Sequence, residues 1–199
     1  MNQQSGKKGS LEVATVAAGC FWCTEAAFTI IRGVKRIETG YTGGVVPNPT
    51  YADVLTGQTG HVEAAQIFYD PKVISYREIL EIFFAMHEPT SLNRQGADVG
   101  TQYRSAIFYH DEQQKQTAIT LIDELNHEGI WERPIVTSIE PLKHFYKAET
   151  YHKDYYKIHP REPYCQVVIA PKVAKLRSRF VDKIKVLAYY GSRNRDKQR

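Results

Sequence analysis

Hydrophobic and polar positions change period several times along this chain, and each change marks an element. Residues 11–18 (Leu11-Glu12-Val13-Ala14-Thr15-Val16-Ala17-Ala18) are a short apolar run of small and β-branched side chains, which predicts a buried strand. Gly19 ends it, and a short helix is predicted over 21–31, stopped by Gly33. Strands follow over 34–41 and 62–69, the second closed by Asp70-Pro71. Ser75 with Glu78 three residues on forms a capping box, opening a helix with Ile79, Ile82, Phe83 and Met86 on its apolar face. A fourth strand is predicted over 104–109, and Asp111 caps a helix carrying Ile119, Ile122 and Leu125 on one stripe. Residues 135–142 suit a further strand. From Pro171 a basic amphipathic helix is predicted to about Tyr190, with Val173, Leu176, Phe180 and Ile184 on its apolar stripe. Residues 42–50 are turn-rich, 88–102 polar and irregular, and 143–170 rich in Tyr and His without a clean period.

The order β-α-β-β-α-β with additions predicts an α+β fold, a two-layer plait with a split βαβ (ferredoxin-like) core sheet and an added C-terminal helix. We divide the chain into a disordered leader (1–10), a catalytic domain (11–170) and a basic C-terminal helix and tail (171–199). The 199 residues suffice for one compact core. No apolar run reaches the roughly 18 residues of a membrane span, and the polar opening segment lacks the apolar stretch of a secretory signal. A cytoplasmic monomer that binds neither membrane nor nucleic acid is therefore the expectation.

The net charge of +4 is unevenly placed. Residues 172–199 hold ten Lys or Arg against Asp182 and Asp196, so this segment carries +8 and the rest of the chain −4. A nucleic-acid binder acting through the tail is one reading of that charge. The apolar stripe on the same helix favours docking onto the body, with the basic face in solvent.

Three cysteines, Cys20, Cys23 and Cys165, are too sparse for a disulfide framework. Cys20 falls where a strand passes into a helix, beside unpaired backbone N–H groups and the positive end of the helix dipole, which favours a nucleophilic thiolate. The opposing reading is a small buried apolar residue, but Gly19 opens the backbone around the sulfur. Cys20 and Cys23 form Cys-x-x-Cys, readable as a dithiol pair, as half of a zinc site, or with Cys23 as a bystander one turn into the helix. No second such pair exists, so no metal is expected. In Thr59-Gly60-His61-Val62-Glu63, the carboxyl of Glu63 shares a strand face with Ala65, Ile67 and Tyr69. Desolvation there would raise its pKa toward that of a general acid. A wet strand end with a basic partner is the alternative. Tyr51 and Tyr103 follow loops and could offer phenol donors to a cavity or simply pack at a core edge, and Asp98 reads as a turn residue.

Gly19-Cys20-Phe21-Trp22, Gly40-Tyr41-Thr42-Gly43-Gly44, Asn48-Pro49-Thr50-Tyr51, Thr59-Gly60-His61-Val62-Glu63 and Gly100-Thr101-Gln102-Tyr103-Arg104-Ser105 together resemble the ordered motifs of the peptide methionine sulfoxide reductase A family. The resemblance covers about residues 11–170. It implies reduction of the S epimer of methionine sulfoxide, free or in proteins, with no bound cofactor and with thioredoxin or dithiothreitol as external reductant. It further implies Cys20 as nucleophile, Glu63 as proton donor, Tyr51 and Tyr103 on the sulfoxide oxygen, Asp98 completing the polar wall, and Phe21 and Trp22 against the S-methyl group. Many members carry Gly where this chain has Cys23, and Tyr164-Cys165-Gln166 with Ile169-Ala170-Pro171-Lys172 resembles one subgroup. Cys165, in a segment expected to be loop-like and mobile, is the favoured resolving thiol, with Cys23 as the alternative.

Overall fold

The computed structural model describes residues 10–185. All but the last residue of the predicted leader, and the stretch of the predicted terminal helix beyond 185, lie outside them. Among the described residues there are eight strands: β1 (Glu12–Ala18), β2 (Val34–Thr42), β3 (Val62–Tyr69), β4 (Arg94–Gln95), β5 (Asp98–Val99), β6 (Ser105–Tyr109), β7 (Ser138–Pro141) and β8 (Phe145–Lys147). The helices are α1 (Phe21–Thr29), α2 (Tyr51–Leu55), α3 (Tyr76–Met86), α4 (Glu112–Glu128), α5 (Tyr155–Ile158) and α6 (Ala170–Arg179). Six strands form one mixed sheet in the order β7-β6-β1-β3-β2-β8, and β4 pairs with β5 separately. Every pairing in the large sheet is antiparallel except that of β6 with β7. Among the described residues, no helix is long and apolar enough to cross a membrane.

Strand alternation decides the two faces. Ala14, Val16 and Ala18 of β1 and Ile67 and Tyr69 of β3 enter the main core with α1, α3, α4 and α6. Ala17, Val62, Ala64, Ala106 and Phe108 pack on the opposite face. Glu63 therefore emerges on the helical side, at the end of β3 nearest the β1–α1 turn.

The predicted caps are in place: Ser75 and Glu78 exchange hydrogen bonds reciprocally, and Asp111 accepts from the Gln114 N–H at 2.8 Å. Three expectations need correction. The stripe of α4 is wider than predicted: Gln114, Ala118 and Leu121 are buried, and the predicted Ile122 and Leu125 lie half-buried against the same core. Gln114 can be buried because its amide donates to the Val13 carbonyl and accepts from the His110 N–H. The terminal helix ends at Arg179, where Phe180 leaves helical geometry (φ −122°, ψ 47°). The chain then lies along the α1–β2 corner, where Ile184 bridges Ile31 and the Lys185 N–H donates to the Ile30 carbonyl. Backbone pairing at that corner replaces the helical continuation expected from the apolar stripe. Thirdly, Cys165 is not in a loop: residues Cys165–Ile169 form a π-helical turn running straight into α6.

Candidate active site

The turn from β1 into α1 is held open by glycine. Gly19 has φ +83°, and a Cβ there would lie 2.6 Å from the Cβ of Gln95. Gln95 is itself pinned, accepting from the Glu88 N–H and donating to the Glu88 carbonyl. Cys20 follows as the N-cap of α1, in extended geometry (φ −55°, ψ 123°), with its carbonyl accepting the Cys23 N–H at 3.1 Å. Its side chain is 7% exposed.

Glu63 reaches the same turn from β3, where it pairs in register with Tyr41. It is 1% exposed, and its Oε2 accepts the Phe21 N–H at 3.0 Å. Burial pushes this carboxyl up to about 8, against the Phe21 hydrogen bond and with help from Asp98 and Cys23. Cys20 behaves unlike the sequence expectation. Burial, then its interaction with Cys23 and the nearby Glu63 carboxyl, hold it well above the ordinary thiol range. The dominant reason is burial, and the first N–H of α1 is engaged by Glu63. In the resting site both groups keep their protons at neutral pH.

The other expected residues gather around this pair. Tyr51 opens α2, and Tyr103 ends a 3-10 turn (Thr101–Tyr103). Both are half-buried phenols raised by burial first and by Glu63 second. Asp98, on β5, accepts the Tyr164 hydroxyl at 2.7 Å. Phe21 is fully buried among Tyr41, Tyr51 and His152. Trp22 has one face stacked on Tyr155, with ring centroids 3.7 Å apart and planes 4° from parallel.

Sequence reasoning missed a supporting layer contributed by residues 149–164. Glu149 accepts the Tyr51 N–H at 2.8 Å and the Tyr41 hydroxyl at 2.7 Å. Burial raises this carboxyl, but the two hydrogen bonds outweigh it and hold the group below its usual range. His152, fully buried, accepts the Trp22 indole N–H on Nδ1 at 3.1 Å. These residues fix Trp22 and Tyr51 from behind. The density of Tyr and His in 143–170 was the available signal, but without a period it could not be mapped onto an element.

The two remaining cysteines are set differently. Cys23 sits one turn into α1 with Lys172 Nζ 3.8 Å and the Tyr164 hydroxyl 4.0 Å from its sulfur. Cys20 first, then Lys172 and Tyr164, bring Cys23 down to about 7 in spite of burial. Cys165 is fully buried in its helical turn, and burial raises its pKa. Among the described residues, no group of three or more His, Cys, Asp or Glu side chains is arranged to hold a metal ion.

A buried thiol at a helix start, a protonated carboxyl tied to the same turn and a ring of phenols equip an enzyme that works through cysteine sulfur. Comparison with known proteins specifies which. The family model for "Peptide methionine sulfoxide reductase" matches residues 12–184. Peptide methionine sulfoxide reductase MsrA of Deinococcus radiodurans is 55% identical, covering 93% of this chain and 92% of that protein. The protein of the same name from Saccharolobus solfataricus is 54% identical over 88% of this chain and 98% of its own length. Mxr1 of Saccharomyces cerevisiae in reduced form superposes with a TM-score of 0.73 at 35% identity, over 80% of this chain and 91% of that one. Mxr1 in complex with Trx2 matches with a TM-score of 0.52 at 25% identity, over 77% of this chain and 91% of that one. The chain belongs to the peptide methionine sulfoxide reductase family, a family of oxidoreductases.

Proposed function

We propose that this protein reduces the S epimer of methionine sulfoxide, free or within proteins, by attack of the Cys20 sulfur on the sulfoxide sulfur. The observation that carries the reading is the Glu63 carboxyl, buried, protonated below about pH 8 and anchored on Phe21 beside Cys20. A sulfoxide is a weak electrophile until its oxygen is protonated, and Glu63 holds that proton where burial makes it most effective. As Glu63 gives it up, the carboxylate left behind takes the Cys20 thiol proton. The oxygen moves to Cys20 as a sulfenic acid, methionine leaves, and one sulfur is reduced by two electrons as the other is oxidised by two. Tyr51 and Tyr103 hold the oxygen, Asp98 completes the polar wall, and Trp22 with Phe21 behind it forms the wall for the methyl group.

A second thiol then condenses with the sulfenic acid, and a thioredoxin-type dithiol reduces the resulting disulfide. The solved Mxr1–Trx2 complex supports such a partner. Cys23 suits the resolving role better than Cys165. Cys20 is the N-cap and Cys23 the third helical residue, and an N-cap side chain naturally lies against that position. The two side chains already interact at the start of α1, whereas Cys165 is held in a helical turn. The β6-β1-β3-β2 order supports the split βαβ plait as the core, with α6 docked on it and 11–185 acting as one catalytic body. All the groups invoked come from one chain, so we propose that a soluble, cytoplasmic monomer suffices.

The test is reduction of the two epimers of a methionine sulfoxide substrate with dithiothreitol. Turnover of S with R untouched is expected; turnover of R alone would overturn the assignment.

A further inference from the structure

Resting on the reading of Cys23 as the resolving thiol, we infer that Lys172 is a positioning residue for the second half of the reaction, an ammonium group that holds Cys23 as the attacking thiolate. Lys172 closes the Ile169-Ala170-Pro171-Lys172 stretch, to which sequence alone assigns no role. It sits on α6, two residues into the helix that follows the Cys165–Ile169 π turn, and π turns are often found at functional sites.

Each group facing the Cys23 sulfur can be weighed in turn. From its own helix, Cys20 at the N-cap does most to lower Cys23, through a thiol hydrogen bond that is lost when the Cys20 sulfur takes up oxygen. From β3 and β5 come the carboxyl groups of Glu63 and Asp98, which oppose a negative sulfur. From the π turn comes the Cys165 thiol, which a negative Cys23 sulfur holds toward its protonated form. Tyr164 places its hydroxyl 4.0 Å from Sγ, but its single proton is donated to Asp98 at 2.7 Å. That phenol can accept from a Cys23 thiol, but it stabilises a thiolate only by releasing Asp98. Lys172, with Nζ 3.8 Å from Sγ, has protons to spare and full positive charge. In a partly buried setting such a pair is screened far less than on the surface.

The consequence is a division of labour between two thiols in one motif. Cys20 rests protonated and reacts only when a sulfoxide arrives to take the Glu63 proton. Cys23 keeps the Lys172 ammonium 3.8 Å from its sulfur after Cys20 is oxidised, so its thiolate is stabilised for the attack that follows. In that step the Cys23 sulfur displaces oxygen from the Cys20 sulfenic acid. The S–O bond breaks as the S–S bond forms, and the oxygen leaves as water with a proton from Glu63. The two sulfurs exchange oxidation level between themselves, so no outside oxidant is required.

The test uses the full chain, oxidised in a single turnover with methionine sulfoxide and no reductant. Sulfenic acid is trapped with a dimedone probe, and the disulfide is mapped by mass. In Lys172→Met the sulfenic acid should accumulate at pH 7, with disulfide formation slowed about five-fold, as a one-unit rise in thiol pKa would give. The deficit should vanish as the pH is raised toward 9, and Lys172→Arg should restore most of the neutral-pH rate. Alkylation of Cys23 in the reduced protein should show its midpoint shifted upward in Lys172→Met. A slowing equal at every pH, or no slowing at pH 7, would overturn the role of Lys172. A Cys20–Cys165 bond in the unmodified protein would instead overturn the assignment of Cys23, and the role of Lys172 with it.

Discussion

Glu63 shows how one side chain acquires a function from where it is put. A carboxyl group in water is ionised at neutral pH; this one is 1% exposed, and burial moves it to about 8. Protonation is thus its normal state below that value and is lost as pH rises through it. Single-turnover oxidation of Cys20 should therefore be flat below about pH 8 and fall above it, a profile measurable by quenched methionine release. Both residues of this pair were legible in the sequence: Cys20 through its place between strand and helix, Glu63 through its apolar neighbours at a spacing of two. Their protonation states were only half legible. Pattern alone could not reveal that burial dominates at Cys20, or that the Phe21 N–H is engaged by Glu63.

At the scale of elements, the β1–α1 turn and the α6 approach carry the site. Gly19→Ala places a Cβ against Gln95 in a backbone region that side chains avoid. It should cost about 2–3 kcal/mol, seen in denaturant unfolding, and should displace Cys20 enough to slow its oxidation. Leu176 is 2% exposed under α6; Leu176→Ala should cost about 2–4 kcal/mol in the same measurement. Regular elements with clean periodicity could be read from the chain within a few residues. The short ones could not: β8 and α5 take their geometry from distant partners, and β4 and β5 are two-residue strands paired with each other, too short to show a period. Residues 143–170 illustrate this: Glu149 and His152 are fixed by Tyr41, Tyr51 and Trp22, more than 90 positions earlier in the chain. The overlong reading of the terminal helix has the same origin, since Ile184 is claimed by Ile31 across a bridge.

For the whole molecule, the order β7-β6-β1-β3-β2-β8 brings residues 20, 63, 98, 103 and 164 to one end of the sheet. Two central strands supply the reacting pair and the irregular segments supply the surroundings. On the proposed roles, this arrangement separates chemistry from recycling: Cys20 and Glu63 come together from β1–α1 and β3, while Cys23 and Lys172 meet between α1 and α6. Loss of the rear pair should let the first step proceed once and stall. Loss of the front pair should prevent the first step altogether. Cys20→Ser should abolish turnover, and Cys23→Ser should stop after a single stoichiometric release of methionine with thioredoxin as the only reductant, where the unmodified protein turns over repeatedly, both read by product quantification.

The most direct measurement is the single-turnover rate of Cys20 sulfenic acid formation, across pH, in the unmodified protein and in Glu63→Gln. The expected result is a fall of about 10²–10⁴-fold near neutral pH, with the decline above pH 8 gone from the variant. An unchanged rate, or a decline that persists in Glu63→Gln, would contradict the proposed part of Glu63 in the reaction.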